Sequence, residues 1–158
     1  GAGFSSMSEF MSQMNVKDVV KGETKDSRYY FVTQGDITLV DGVPTQQYTV
    51  TAKLLVDKEV KDEDGNNVLD GDGNKAINRG LKTTMTEQVK QTANSLLTNT
   101  DWMVIRKAER DVAIPSATAT YRAAVLTECA RLETAITNAA DVDALAAVMD
   151  TQNWPKDS

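Results

Sequence analysis

Apolar residues recur along this chain with changing period, and the changes mark its organisation. Phe4, Met7, Phe10, Met11 and Met14 stand three to four positions apart, the spacing that gathers side chains on one side of an α-helix. Ser6 and Glu9 are placed as a capping box ahead of the stripe. The pattern predicts an N-terminal amphipathic helical arm over residues 1–22, ending near Gly22. From Arg28 to Glu59 the composition turns β-branched and aromatic: residues 29–32, 37–40 and 48–56 predict three strands. Gln34-Gly35-Asp36 and Asp41-Gly42-Val43-Pro44 separate them and supply turn residues. A short antiparallel β-meander is the topology expected.

Two similar blocks follow, Asp62-Glu63-Asp64-Gly65-Asn66-Asn67 and Asp70-Gly71-Asp72-Gly73-Asn74, around Val68-Leu69. Their acidic density raises calcium. An EF-hand starting at Asp62 would place Asn67 where the loop needs Gly and Gly73 where it needs Glu; one starting at Asp70 would place Lys75 and Leu81 there. Both registers fail, so the blocks predict polar hairpin turns, and no metal-binding residue is expected.

Beyond Gly80 the period is helical. Leu81, Met85, Val89, Ala93 and Leu96-Leu97 form one stripe, a short helix is expected from Asp101, and Ile114-Pro115 breaks the pattern with Ser116 available as a cap. Tyr121, Val125, Cys129, Leu132 and Ile136 mark the longest helix, over residues 117–137. A last helix, capped by Asp141, carries Val142, Leu145, Val148 and Met149. The fold class expected is α+β: arm 1–22, strand region 28–79 with Asp/Asn/Gly-rich turns, helical domain 80–158.

Charge and composition then narrow the function. The formal net charge of −6, with Lys and Arg dispersed, disfavours nucleic acid as a partner. No apolar run approaches the roughly 20 residues that span a bilayer, so no membrane partner is expected, and no secretory leader is apparent. The chain has no His and one Cys, which removes the residues that most triad, zinc and proton-shuttle chemistries use. Cys129 lies on the apolar stripe and reads as a buried hydrophobe. Two carboxylates could serve a glycosidase, but no spacing sets a pair in a defined pocket. The expectation is a non-enzymatic protein with no catalytic residue and no cofactor.

The remaining chemistry is that of contact. Phe4, Met7, Phe10, Met11 and Met14 form a stripe suited to docking on a partner, since methionine adapts to irregular grooves; packing on the chain's own core is the alternative. Trp102, Tyr121 and Trp154 are the large side chains of a segment otherwise rich in Ala, Thr and Val. Each can bury on the order of 150–250 Å², and they are expected to anchor a helical mini-core, with Arg122 pairing to an acidic neighbour.

Leu96-Leu97, Asp101-Trp102, Ile114-Pro115, Tyr121-Arg122 and the closing Trp154-Pro155 resemble the phage tail assembly chaperone family over about residues 95–156. The resemblance implies a bacteriophage tail or tail-fibre context and partners among other tail or fibre proteins. Because this chain also carries an arm and a strand region, the leading expectation is a structural tail component, an adaptor or attachment piece of tail, baseplate or fibres. A transient tail-fibre chaperone is the alternative and a head decoration protein the second. The virion tail, with the host cytoplasm during assembly, is the location implied, and a homo-oligomer within a symmetric assembly is compatible with it.

Overall fold

The structure, a computed structural model, describes residues 18–156. The chain is α+β and divides into two compact units, residues 1–52 and 53–158.

In the first unit, strands β1 (Val20–Lys21), β2 (Tyr30–Val40) and β3 (Val43–Ala52) form one sheet in the order β1-β3-β2. β2 and β3 make a long antiparallel hairpin, and β1 joins β3 in parallel with Val20 opposite Thr45. Asp41 and Gly42, at φ of 50° and 75°, make the two-residue turn that matches strand twist. The sheet is therefore not the three-stranded meander that the sequence predicts. Gln34-Gly35-Asp36 does not end a strand; it lies within β2 as a bulge, where the register shifts between Gln34 and Ile37. The ladder is mended by a side chain: Gln46 Nε2 donates to Gly35 O at 2.6 Å, and Gln34 Nε2 donates to Gln46 Oε1 at 2.9 Å. A glycine between polar residues thus reads as a turn locally, and pairing over both flanks overrides it. Val20 and Lys21, which the sequence reading includes in the helical arm, pair as strand instead.

The second unit begins with a small knot of backbone bonds built on an eight-residue repeat. Val60 N donates to Ala76 O at 2.9 Å, Val68 N to Val60 O at 3.0 Å and Ala76 N to Val68 O at 2.8 Å, closing a ring. From its corners run three antiparallel pairings: β4 (Lys58–Glu59) with β5 (Ile77–Asn78), Lys61 with Asn67, and Leu69 with Lys75. The two Asp/Asn blocks are matching turns. Asp62 Oδ1 accepts from the N–H groups of Asp64 (3.0 Å) and Asn66 (2.8 Å), and Asp70 Oδ1 accepts from Asp72 (3.0 Å) and Asn74 (2.9 Å). Gly65 and Gly73 supply the left-handed φ values, 84° and 82°, that the turns require.

This knot belongs with the helices, so the division falls after Ala52 and not at residue 80. Helix α1 (Leu81–Thr98) exposes unpaired N–H groups at its start, and residues 54–57 satisfy them. Leu54 O accepts from Leu81 N (2.7 Å), Leu55 O from Lys82 N (3.0 Å), and Asp57 Oδ1 from Gly80 N (2.7 Å) and Thr83 Oγ1 (2.8 Å). The Gly80 N–H and the Thr83 hydroxyl hold the Asp57 carboxyl below the ordinary carboxylate range. Only glycine fits at position 80, since a Cβ would stand 2.3 Å from the Val56 carbonyl carbon.

Helices α2 (Asp101–Arg110), α3 (Ser116–Asn138) and α4 (Val142–Asp150) follow near the expected positions. Asp141 caps α4, its Oδ1 accepting from Ala144 N at 2.7 Å. Ser116 is the first residue of α3 and caps nothing; Pro115 holds the cap position. α1, α3 and α4 pack on one another. Their stripes close a core of Met85, Val89, Val125, Leu132, Ile136 and Leu145. Cys129 is buried on the same stripe, and burial raises its thiol pKa above the ordinary value.

A candidate partner-binding surface on the helical unit

Helix α2 is the exception in this unit. It lies outside the packing of α1, α3 and α4, and none of its ten residues is buried. Its apolar residues cluster in the first turn and a half, Trp102-Met103-Val104-Ile105, ahead of Arg106, Lys107 and Arg110. Asp101 and the late basic residues suit the helix dipole at both ends. Asp111 closes α2 in the left-handed region at φ 53°, its N–H on Lys107 O.

One side chain of α3 fixes the base of α2. Arg122 donates Nη1 to Leu97 O (2.9 Å) and to Thr100 Oγ1 (2.6 Å), and Nη2 to Asp101 Oδ1 (2.9 Å). Arg122 is only 16% exposed, so this planar fork stitches the end of α1, the connecting residue and the start of α2 from a sheltered position. The acidic neighbour expected for Arg122 is Asp101; its bond to the end of α1 has no signature in the sequence.

With its base held, α2 displays its apolar side. Trp102 is 51% exposed and Ile105 57%. Three positions apart on a helix, they share one side. The Arg106 guanidinium lies 4.8 Å from the Trp102 ring centroid and stacks on it. This corrects the expectation that Trp102 is a buried anchor. An apolar residue in the first turn of a ten-residue helix needs a facing element to bury it, and among the described residues no element packs along α2.

The two other expected anchors are half-buried. Tyr121 and Pro155 line a shallow groove of about 450 Å³ with Ser116, Ala117, Thr120 and Ala124. The tail that carries Trp154 is tied to α3 by a carboxylate that the sequence reading did not single out. Glu128, 7% exposed, accepts from Arg131 Nε and Nη2 and from Asn153 N, each at 2.7 Å. Arg131 Nη2 also reaches Thr151 O at 3.0 Å. The Arg131 bonds, more than the Asn153 bond, hold the Glu128 carboxyl below its ordinary pKa. The signal was present: Glu128 falls on the stripe between Val125 and Leu132, where an acidic residue needs a partner. Trp154 Nε1 donates to Gln152 Oε1 at 2.8 Å.

Phe4, Met7, Phe10, Met11 and Met14 lie outside the described residues. Among the described residues, no group of three or more Asp, Glu, Cys or His side chains is arranged to hold a metal ion, and no helix is long and apolar enough to cross a membrane. Asp62 and Asp70 spend an oxygen each on their own turns. Compared with known proteins, the chain matches no family model, no curated protein and no solved structure.

Proposed function

We propose that this chain is a non-enzymatic, bacteriophage tail-associated structural protein, an adaptor or attachment piece of tail, baseplate or fibres, that acts by binding other tail proteins through α2. The observation that carries the reading is a tethered helix with no buried residue and an exposed tryptophan in its first turn. Trp and Arg dominate the energetics of protein contacts because both combine large contact area with a polar handle, and here Arg106 is stacked on Trp102. The tail context rests on the resemblance over residues 95–156. In support, Leu97, Asp101 and Arg122, drawn from separate parts of that motif, meet in one cluster of hydrogen bonds.

The test is made on purified particles. The reading expects the wild-type chain at fixed stoichiometry in the tail, and a large loss of occupancy for Trp102→Ala while the variant remains folded. A chain required for fibre assembly but absent from finished particles would identify the transient chaperone instead, and a chain found on heads a decoration protein. Full occupancy of the variant would move the contact away from α2.

A further inference from the structure

Four of the chain's six arginines hold a carboxylate: Arg28 that of Asp26, Arg79 that of Glu87, Arg122 that of Asp101 and Arg131 that of Glu128. The two others, Arg106 and Arg110, stand one turn apart on α2 and hold none among the described residues, not even that of Glu109 beside them. In a chain with 23 acidic residues against 17 basic ones, this is no shortage of acid. Their placement is also particular. Trp102, Arg106 and Arg110 follow one another at intervals of four, so they line one side of α2 over about 12 Å, with exposed Ile105 beside them. Arg106 lies on the Trp102 ring, and its Nε is shielded from solvent with no acceptor among the described residues.

We infer that the partner of α2 is an acidic, apolar protein segment, which covers Trp102 and Ile105 and presents one carboxylate to Arg106 and a second, one turn further along, to Arg110. This rests on the reading that Trp102 is a contact residue. A partner that covers the Trp102 ring also takes the guanidinium stacked on it out of water, and a guanidinium stripped of water without an acceptor is costly. Stacking occupies the face of a guanidinium and leaves its edge to donate. A carboxylate accepts two such bonds in parallel. Phosphate matches the same edge, but duplex phosphates meet repulsion from a net charge of −6, and a phosphate backbone offers Trp102 and Ile105 no apolar counterpart.

The experiment uses purified particles that carry the chain with Arg106→Lys and Arg110→Lys, treated with a carbodiimide, which joins an amine to a carboxylate in direct contact with it. Amide cross-links are expected from the introduced lysines to Asp or Glu of another tail protein. Cross-links confined to carboxylates of this chain, its own or a second copy's, would overturn the proposal, and so would products that nuclease releases. A charge-removing pair, Arg106→Met with Arg110→Met, gives an independent readout: its denaturation midpoint should match the wild type, while its occupancy in particles should fall by at least about tenfold. Wild-type occupancy of that variant, alongside loss of Trp102→Ala, would overturn this proposal alone. Full occupancy of both would overturn the reading of α2 on which it rests.

Discussion

Residues 53–158 close an apolar core from their own side chains, with Val125, Leu132 and Leu145 wholly buried, whereas the described part of residues 1–52 buries only Tyr29, Tyr30 and Gln46. Both regions carry well-patterned apolar faces, so pattern does not distinguish them. The number of layers does. α1, α3 and α4 pack their stripes on one another, so a second layer is always at hand. The hairpin is a single layer of sheet, and Ile37 and Leu39 remain more than half exposed on it. Periodicity shows which side of an element avoids water; what covers that side is a property of neighbours.

The largest effect that sharpens this contrast is a cavity in the closed core. Leu132→Ala should cost about 2–5 kcal/mol in a denaturant titration, since Leu132 has no exposed surface to relax into. The same truncation at Leu39 is expected to cost roughly 1 kcal/mol. Equal losses at the two positions would erase the distinction between the units. Next comes Gly80→Ala. Its Cβ would fall against Val56 backbone, which cannot swing aside as a side chain would, and overpacking of this kind costs about 1–3 kcal/mol. A neutral result in thermal melting would mean that the knot of residues 57–79 is not rigidly joined to α1.

Much of this architecture was legible in the sequence. The stripes of α1, α3 and α4 lie where the period placed them, and the two Asp/Asn blocks are turns because Asp at the first position, Gly at the fourth and Asn at the fifth each have a separate local job. What the sequence hid were effects between distant residues. Gly35 has turn chemistry on both sides, and only the pairing of β2 with β3 shows that it is a bulge. Trp102 is large and apolar, and only its 51% exposure on a helix with no buried residue shows that it is displayed. The backbone ring joining Val60, Val68 and Ala76 leaves a trace as the repeat of eight, but the closure itself is tertiary.

A smaller effect tests how the helical unit fastens its tail. The Glu128 carboxyl is held below its ordinary pKa in the folded state, so its contribution is fully present above the unfolded value of about 4.3. It is lost as pH falls through the depressed folded value. Glu128→Gln should therefore cost about 1–3 kcal/mol near neutrality, and the gap to the wild-type chain should narrow as pH drops below about 4. A gap that stays constant down to acid pH would show that the carboxylate charge does not fasten residues 151–156.

The smallest expected change in stability is the one that bears most on function. If Trp102 were a core anchor, Trp102→Ala would cost about 3–5 kcal/mol. At 51% exposure on a helix with no buried residue, two modest terms remain, and they oppose each other. The Arg106 stack on the ring is worth about 0.5–1 kcal/mol at an exposed site. Alanine is the better helix former by about 0.5 kcal/mol. The net should lie within about 0.5 kcal/mol of zero, so the denaturation midpoint should hardly move. Arg122→Ala supplies the contrast, because it strips Leu97 O, Thr100 and Asp101 of their shared donor and should loosen the start of α2, read as faster amide exchange at residues 100–104. A Trp102→Ala variant that melts like a core mutant would return the ring to the interior and end the case for α2 as a docking helix. A variant that keeps its midpoint yet loses its place in the particle would show that the tryptophan is held for a partner.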